Sequence, residues 1–426
     1  MKRRVVATLM SAAMVATLLA GCGSSSTTST SASNSSSSSA SSSSSTAAAS
    51  SSSTAAASSS SAKEEVSTTS TPAASSSSAS GDSTDATAQF DGLKANDAYN
   101  FPMLVKSFQS TYWDAAQQGM KKAADELGVT YDAQGPNSES DIADQVNMLN
   151  SAISSKPVGI GLAACDTTSV LDSLKTCASE GIPVVAFDTG VADAPDGSIV
   201  CTVATDNGQA GAVAADNMYD AIKDEIKNAS GQVRIGEVNQ DATALNIQQR
   251  GLGFINEMIK LIKADGKTVS VEGNEFYTNA AEGADTGDTD VVIEVAVPAQ
   301  TTVELCSTEA QTILSKDDTI AIFGSNQTAA EGVLAADANL SVLGSDVSNG
   351  DIIGVGFDAG STIKAAVESG TLYGAVTQSP LMMGYYAIYA LTAAANGQEL
   401  QDVPTAGYWY NADNINDDDI APNLYD

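Results

Sequence analysis

The chain predicts an α/β fold with parallel sheets, on three observations. From about residue 96 onward, short and almost wholly apolar runs recur, such as "VGIGLA", "VVAF", "IAIF" and "IIGVGF". Between them lie longer stretches with apolar residues three and four positions apart. Strands that are apolar on both sides are covered on both faces, and helices that cross from strand to strand supply the cover. Residues 96–426 are also long enough for two lobes, each with its own core.

The elements follow in order. Residues 103–108 read as the first strand. Residues 114–127 read as a helix, with Ala116, Met120, Ala123, Ala124 and Leu127 on one side and Gly128 as its stop. Residues 142–153 make a second helix, 158–163 a strand, 169–179 a helix and 183–187 a strand. The alternation resumes with strand 233–238, helix 247–262, strand 291–297 and helix 304–314. Strand 320–323, helix 328–336 and strand 352–357 complete it. Sheets of this kind bind ligands outside the carboxyl ends of their strands, so the polar residues just after each strand are the candidates.

Those positions hold a consistent set. Ser110, Tyr112 and Trp113 follow the first strand, Asp188 ends "VVAF", Asn326 follows "IAIFGS", Asp358 ends "IIGVGF" and Gln378 follows "YGAVT". Carboxylates and amides exchange fixed hydrogen bonds with hydroxyl groups, and aromatic faces cover the C–H surface of a sugar ring. The set therefore suits a neutral polyhydroxylated ligand. Asp166, before Thr167 and Thr168, reads instead as a cap or turn residue.

Composition narrows the function. The formal net charge of -33 excludes a grip on nucleic acid. Histidine is absent, which removes the commonest general base and the commonest transition-metal ligand together. No metal, no cofactor and no enzymatic activity are expected; a glycosidase would need only two acids, but no catalytic signature accompanies the acids here. Cys165, Cys177, Cys201 and Cys306 show no CxxC spacing, and buried free thiols are expected over a Cys165–Cys177 pair. Gly354, Gly356 and Gly360 have the wrong spacing for a dinucleotide fingerprint. Asp285, Asp288 and Asp290 around Gly287 read as a weak calcium loop or, more commonly, a solvated acidic loop, as does Asp417-Asp418-Asp419.

The first residues address the chain. Lys2, Arg3 and Arg4 precede an apolar run that is too short, with the wrong flanks, for a membrane span. Leu19-Ala20-Gly21-Cys22 resembles a bacterial lipobox, which implies a signal peptide over 1–21 and a lipid on the Cys22 thiol. Residues 22–95 are almost wholly Ser, Ala and Thr and cannot offset ordering entropy by burial. They read as a tether with a reach of roughly 50 Å. The expected location is extracytoplasmic, with the protein held to the cell membrane through Cys22.

Several ordered segments resemble the type I periplasmic substrate-binding proteins, and within them the ribose-binding-like sugar group of ABC importers. They are "STYWDAAQQGMKKAADELGV", "SKPVGIGLAACDTTSVLDSLKTCASEGIPVVAFDTG", "VATDNGQAGAVAADNM", "RGLGF", "AIFGSNQTAAEGV", "IIGVGFDAG" and "GAVTQSPLMMGYYA". The resemblance implies two Rossmann-like lobes joined by three crossovers, near Ala204, Thr377 and Thr405, that close on ligand. It implies a first lobe of 99–204 with 378–404 and a second of 205–377 with 405–426. Ligand contacts would come from Tyr112, Trp113, Asp188, Asn326, Asp358 and Gln378, with Ser110 beside them. Two positions depart from the pattern: Thr189 and Gln248 stand where ribose-binding proteins place ligand arginines. Arg250 matches a different family residue beside a Gly251 turn, so the pocket is expected to lose two cationic donors. The implied function is capture of a monosaccharide or related small polyol by a monomer and its delivery to ABC permease subunits. A sensor for a receptor kinase, or a binder of a nucleoside or furanose-like signal, is the alternative.

Overall fold

The computed structural model describes residues 86–418 and 420–426. The expected signal peptide over 1–21, Cys22 and the Ser-rich tract as far as residue 85 lie outside the described residues. No helix among the described residues is long and apolar enough to cross a membrane.

Two sheets organise the chain. The first holds β1 (Asn100–Leu104), β2 (Thr130–Gln134), β3 (Ile160–Leu162), β4 (Val184–Phe187), β5 (Ile199–Thr205) and, from far along the chain, β13 (Val403–Thr405). Its order is β13-β5-β4-β3-β1-β2, parallel throughout. The second holds β6 (Val233–Val238), β7 (Val269–Gly273), β8 (Val291–Ala296), β9 (Thr319–Gly324), β10 (Leu343–Gly344), β11 (Ile352–Phe357), β12 (Gly374–Thr377) and β14 (Tyr408–Tyr410). Its order is β14-β12-β11-β9-β6-β8-β7, with β10 added on β11. Only the β12–β14 pair is antiparallel. The fold is thus α/β with two lobes of parallel-dominated sheet.

The interior strands are apolar on both faces, as β4 and β11 show with every residue buried. The strands absent from the sequence reading include β2, β5 and β7. "TYDAQ" and "VSVEG" form sheet edges and are half solvated, and "IVCTVAT" alternates buried with partly exposed residues. Strands with one wet side carry polar residues, so an all-apolar criterion passes over them. The first strand is also shorter than the 103–108 expected. It ends at Leu104, and residues 105–110 leave the sheet and run into the cleft.

In each lobe a pair of helices crosses with a glycine on both partners. In the first lobe, helices Thr111–Leu127 and Pro380–Ala395 meet at Gly119 and Gly384. A Cβ on Gly119 would lie 1.8 Å from the Leu381 carbonyl oxygen, and one on Gly384 2.1 Å from that of Ala116. In the second lobe, helices Asn207–Asn228 and Leu245–Ala264 meet at Gly211 and Gly253. There the added carbon would lie 2.1 Å from the Arg250 oxygen and 2.2 Å from the Gly208 oxygen.

The chain passes between the sheets three times. β5 belongs to the first sheet, while the helix that starts at Asn207 packs Ala210, Ala214 and Met218 into the core of the second. β12 belongs to the second, while the helix that starts at Pro380 packs Met383, Ala387 and Leu391 into the first. β13 and β14, two residues apart, lie in different sheets.

Candidate functional site

The two lobes meet at their strand ends in the same way. β4 ends in Phe187-Asp188 and β11 in Phe357-Asp358. Both aspartates take the left-handed backbone region, with φ of 61° and 73°. Asp188 N–H donates to Val203 O at 2.9 Å, and Asp358 N–H to Val376 O at 2.7 Å. Each residue is 4 % exposed. A non-glycine residue held in this region costs on the order of 1 kcal/mol and persists only where its surroundings over-determine it, which is typical of functional sites.

Asp188 gathers groups from both lobes. Tyr112 Oη donates to its Oδ1 at 2.5 Å, and Thr189 Oγ1 to its Oδ2 at 2.8 Å. Lys106 Nζ stands 3.3 Å from Oδ2 and donates to Asn246 Oδ1 across the cleft at 2.9 Å. Asn246 Nδ2 returns a bond to Asp188 Oδ2 at 3.2 Å. Burial alone lowers the Lys106 pKa, but Asp188, Glu139 and Asp241 outweigh it and hold the ammonium above its ordinary value. Lys106 is therefore charged. Burial, then Asp188 and Asp358, push the Tyr112 phenol well up, so it stays a donor.

The aromatic pair opens a second line across the cleft. Tyr112 and Trp113 lie in the first turn of their helix, one turn earlier than the apolar spacing indicates, with ring centroids 5.1 Å apart and planes at 81°. Trp113 Nε1 donates to Glu139 Oε1 at 3.1 Å. Gln240 Nε2, from the second lobe, donates to Glu139 Oε2 at 2.6 Å. Asn326 Nδ2 donates to Gln240 Oε1, while Asn326 Oδ1 caps the following helix at Ala329 N. Burial raises the Glu139 pKa against the opposing pull of Lys106 and the Trp113 N–H.

The second lobe is built around Arg250 and Asp358. The Arg250 guanidinium lies 3.6 Å from the centre of the Phe357 ring, donates to Asn207 Oδ1 at 2.7 Å and to Ser325 O at 2.8 Å. Asp358 accepts from Gln378 Nε2 at 2.7 Å and from Gln327 N–H at 2.9 Å. Gln378 Oε1 accepts from Thr205 Oγ1 at 2.8 Å, which ties two of the crossings together. Burial raises the Asp358 pKa, opposed by Arg250 and these hydrogen bonds.

Seven of the nine predicted residues border one space. Ser110, Tyr112, Trp113 and Asp188 come from the first lobe; Asn326, Asp358 and Gln378 come from the second lobe and the crossing. The space is about 30 Å³ in this closed arrangement, so a ligand of sugar size needs the lobes to part. Thr189 and Gln248 do not border it. The Thr189 hydroxyl is spent on Asp188, and the Gln248 amide turns back to Ala242 O at 2.8 Å. Asp166 Oδ1 accepts from Thr168 N and Ser169 N and serves as a cap.

Thr189 and Gln248 bring no cation to the space, but Lys106 and Arg250 both border it. Gly251 is not in a turn. It lies inside helix Leu245–Ala264, where a Cβ would come 2.6 Å from Glu237 Oε1. Glu139, Gln240, Asn246 and Gln327 also border the space and were not predicted. Gln240 lies two residues past a recognised strand, so the strand-end rule reaches it. Glu139 follows β2, an edge strand the apolar pattern hides. Lys106 falls inside the 103–108 strand that the sequence predicts; a lysine closing "PMLV" is the signal of an earlier end.

Among the described residues no group of His, Cys, Asp or Glu is arranged to hold a metal ion. Asp285 instead takes Lys263 Nζ at 2.9 Å and Val269 N at 3.0 Å, and Asp290 takes Thr268 N at 2.9 Å. Cys165, Cys177, Cys201 and Cys306 are free and buried.

Two lobes joined by three crossings, with a polar and aromatic cleft between them, define a two-lobed ligand-binding protein. Residues 101–399 match the periplasmic binding protein domain family, and the chain belongs to it. The chain is 23% identical over 313 residues to the ribose import binding protein of Bacillus subtilis (strain 168), covering 72% of this chain and 85% of that protein. Among solved structures it is similar to an ABC transporter, LacI family transcriptional regulator from Brachyspira murdochii, at 27% identity and a TM-score of 0.64, over 77% of this chain and 99% of that one. It is also similar to an ABC transporter solute-binding protein from Agrobacterium vitis with bound D-fucose, at 24% identity and a TM-score of 0.62, over 76% of this chain and 100% of that one.

Proposed function

We propose that the protein is an extracytoplasmic solute-binding protein that captures a sugar between its lobes and delivers it to an ABC permease. The observation that carries this reading is the pair of left-handed aspartates, Asp188 and Asp358, one at each lobe's strand end, with Tyr112 and Trp113 beside them. Such a site offers each hydroxyl of a polyol a carboxylate or amide and offers the ring an aromatic face. The ribose import function of the B. subtilis relative and the D-fucose bound to the A. vitis protein support the same class of ligand. Ser110, Tyr112, Trp113, Asp188, Asn326, Asp358 and Gln378 are the proposed ligand contacts, joined by Lys106, Asn246 and Arg250. Ligand that touches both lobes favours the closed form, which is the form a permease would read. Binding, not chemistry, is the proposed role, in keeping with a family of substrate-binding proteins.

A thermal-shift screen of the full chain over monosaccharides, sugar alcohols and nucleosides tests the reading. A true ligand at a hundred times its Kd adds about 2.7 kcal/mol of stability. A pentose, hexose or related polyol recovered unaltered is the expected hit; stabilisation by nucleosides alone, or turnover of the sugar, would overturn it. The lipid anchor on Cys22 belongs to the same proposal. Cys22→Ser expressed in the native host should leave the protein unlipidated and free of the membrane, and membrane-held, acylated variant would remove the anchor from the account.

A further inference from the structure

The site has more acceptors than donors, and the excess has a charge. Three carboxylates border the space: Glu139, Asp188 and Asp358. Among the described residues only one of them is ion-paired: Lys106 lies 3.3 Å from Asp188. Arg250 acts on Asp358 and Lys106 on Glu139 without a direct bond to either. Glu139 makes no ion pair among the described residues. Its oxygens take only neutral N–H groups, from Trp113 at 3.1 Å and Gln240 at 2.6 Å. Asp241, close enough to act on both Lys106 and Glu139, adds a further negative charge at the rim.

The charged donors at the site already have partners. Lys106 is directed to Asn246 and Asp188, and Arg250 to Asn207 and Ser325. Gln327 spends its Nε2 on Thr111 at 3.1 Å and Glu331 at 3.0 Å. Its Oε1 is buried with no partner at all, in a residue that is 5 % exposed and borders the space. A buried acceptor without a donor is costly, and so is a carboxylate without a counter-ion. A ligand that brings donors relieves both. Glu139 keeps lone pairs beyond its bonds to Trp113 and Gln240, and a carboxylate pairs with an ammonium through short charge-assisted hydrogen bonds.

We propose that the ligand carries a positively charged amine as well as hydroxyls, as an amino sugar or amino-polyol does, and that Glu139 is the counter-ion of that amine. This rests on the sugar-binding reading above and narrows it. Gln327 Oε1 accepts from a further donor of the ligand, and Asp188 and Asp358 hold the remaining hydroxyls. Lys106 pairs with Asp188 and bonds Asn246, and it makes no direct bond to Glu139.

The experiment measures the affinity of the full chain for D-glucosamine, D-galactosamine and D-mannosamine against glucose, galactose and mannose. The expected result is that at least one amino sugar binds about tenfold or more tightly than its neutral parent, the size of one charge-assisted hydrogen bond. That advantage should shrink once the pH exceeds the amine's own pKa, a readout that needs no variant. In Glu139→Gln the ratio of amino-sugar to parent affinity should fall towards one. Neutral parents that bind as tightly as their amino sugars, or an advantage untouched by both pH and Glu139→Gln, would overturn the inference and leave the sugar-binding reading standing. Failure of both classes to bind would overturn the inference, while a pentose or polyol hit in the screen above would keep the sugar-binding reading.

Discussion

Glu237, near the end of β6, is fully buried, and Asn239 Nδ2 donates to its Oε1 at 2.7 Å. Glu237 Oε2 and Asn239 Oδ1 are left as buried atoms without partners. A neutral carboxyl avoids burying an uncompensated charge at this place. Burial holds the Glu237 carboxyl well above the usual carboxylate range, opposed only by the Asn239 bond. The folded state therefore keeps a proton that the unfolded chain releases near pH 4.3. Stability linked to this group is complete below that pH and is lost as pH rises towards the folded value. Glu237→Gln keeps a neutral donor and should match wild type in acid, then exceed it by a growing margin in thermal melts as pH rises. A variant destabilised equally at every pH would show that Glu237 is ionised in the fold. At this scale the strand-end rule made Asp188 and Asp358 legible, because "VVAFD" and "IIGVGFD" carry an acid straight after an apolar run. Glu139 and Lys106 were hidden, one behind a half-solvated strand and one inside a strand drawn too long. Their importance comes from neighbours distant in sequence, such as Gln240 and Asn246.

Helices set the precision of the site. Arg250 reaches Asn207 and Ser325 because helices Asn207–Asn228 and Leu245–Ala264 approach closely at Gly211 and Gly253. Gly211→Ala would drive a methyl group into the Arg250 carbonyl. Overpacking of this kind costs about 1–3 kcal/mol. The expected outcome is a lower Tm together with weaker ligand binding, since the clash falls on the residue that carries the guanidinium. A Tm equal to wild type would mean the helices part without cost. Interior strands such as β6 and β11 were legible to the residue from their apolar runs. β2 and β7 were not, because an edge strand exposed on one side reads like a loop. The helix pairs were legible as helices, but their glycines gave no sign of partners 42 residues apart, as Gly211 and Gly253 are in sequence.

The whole molecule works through contacts that cross between lobes. Lys106 with Asn246, Glu139 with Gln240, and Ser140 with the Thr301 N–H at 2.7 Å all join one lobe to the other. Ligand held by Asp188 on one side and Asp358 on the other would add to these bonds and favour closure. The alternation of apolar and amphipathic segments made the fold class legible, and the crossings followed from a resemblance in segment order, since no local pattern says which sheet a strand joins. The central claim is that one ligand is gripped by both lobes at once. Calorimetric titration of the full chain with the best ligand of the screen tests it, using wild type, Asp188→Asn and Asp358→Asn. The account predicts one ligand per chain and a loss of affinity of about tenfold or more in each variant, as expected for a charge-assisted hydrogen bond on either side. Wild-type affinity in one variant, with the loss confined to the other, would contradict it.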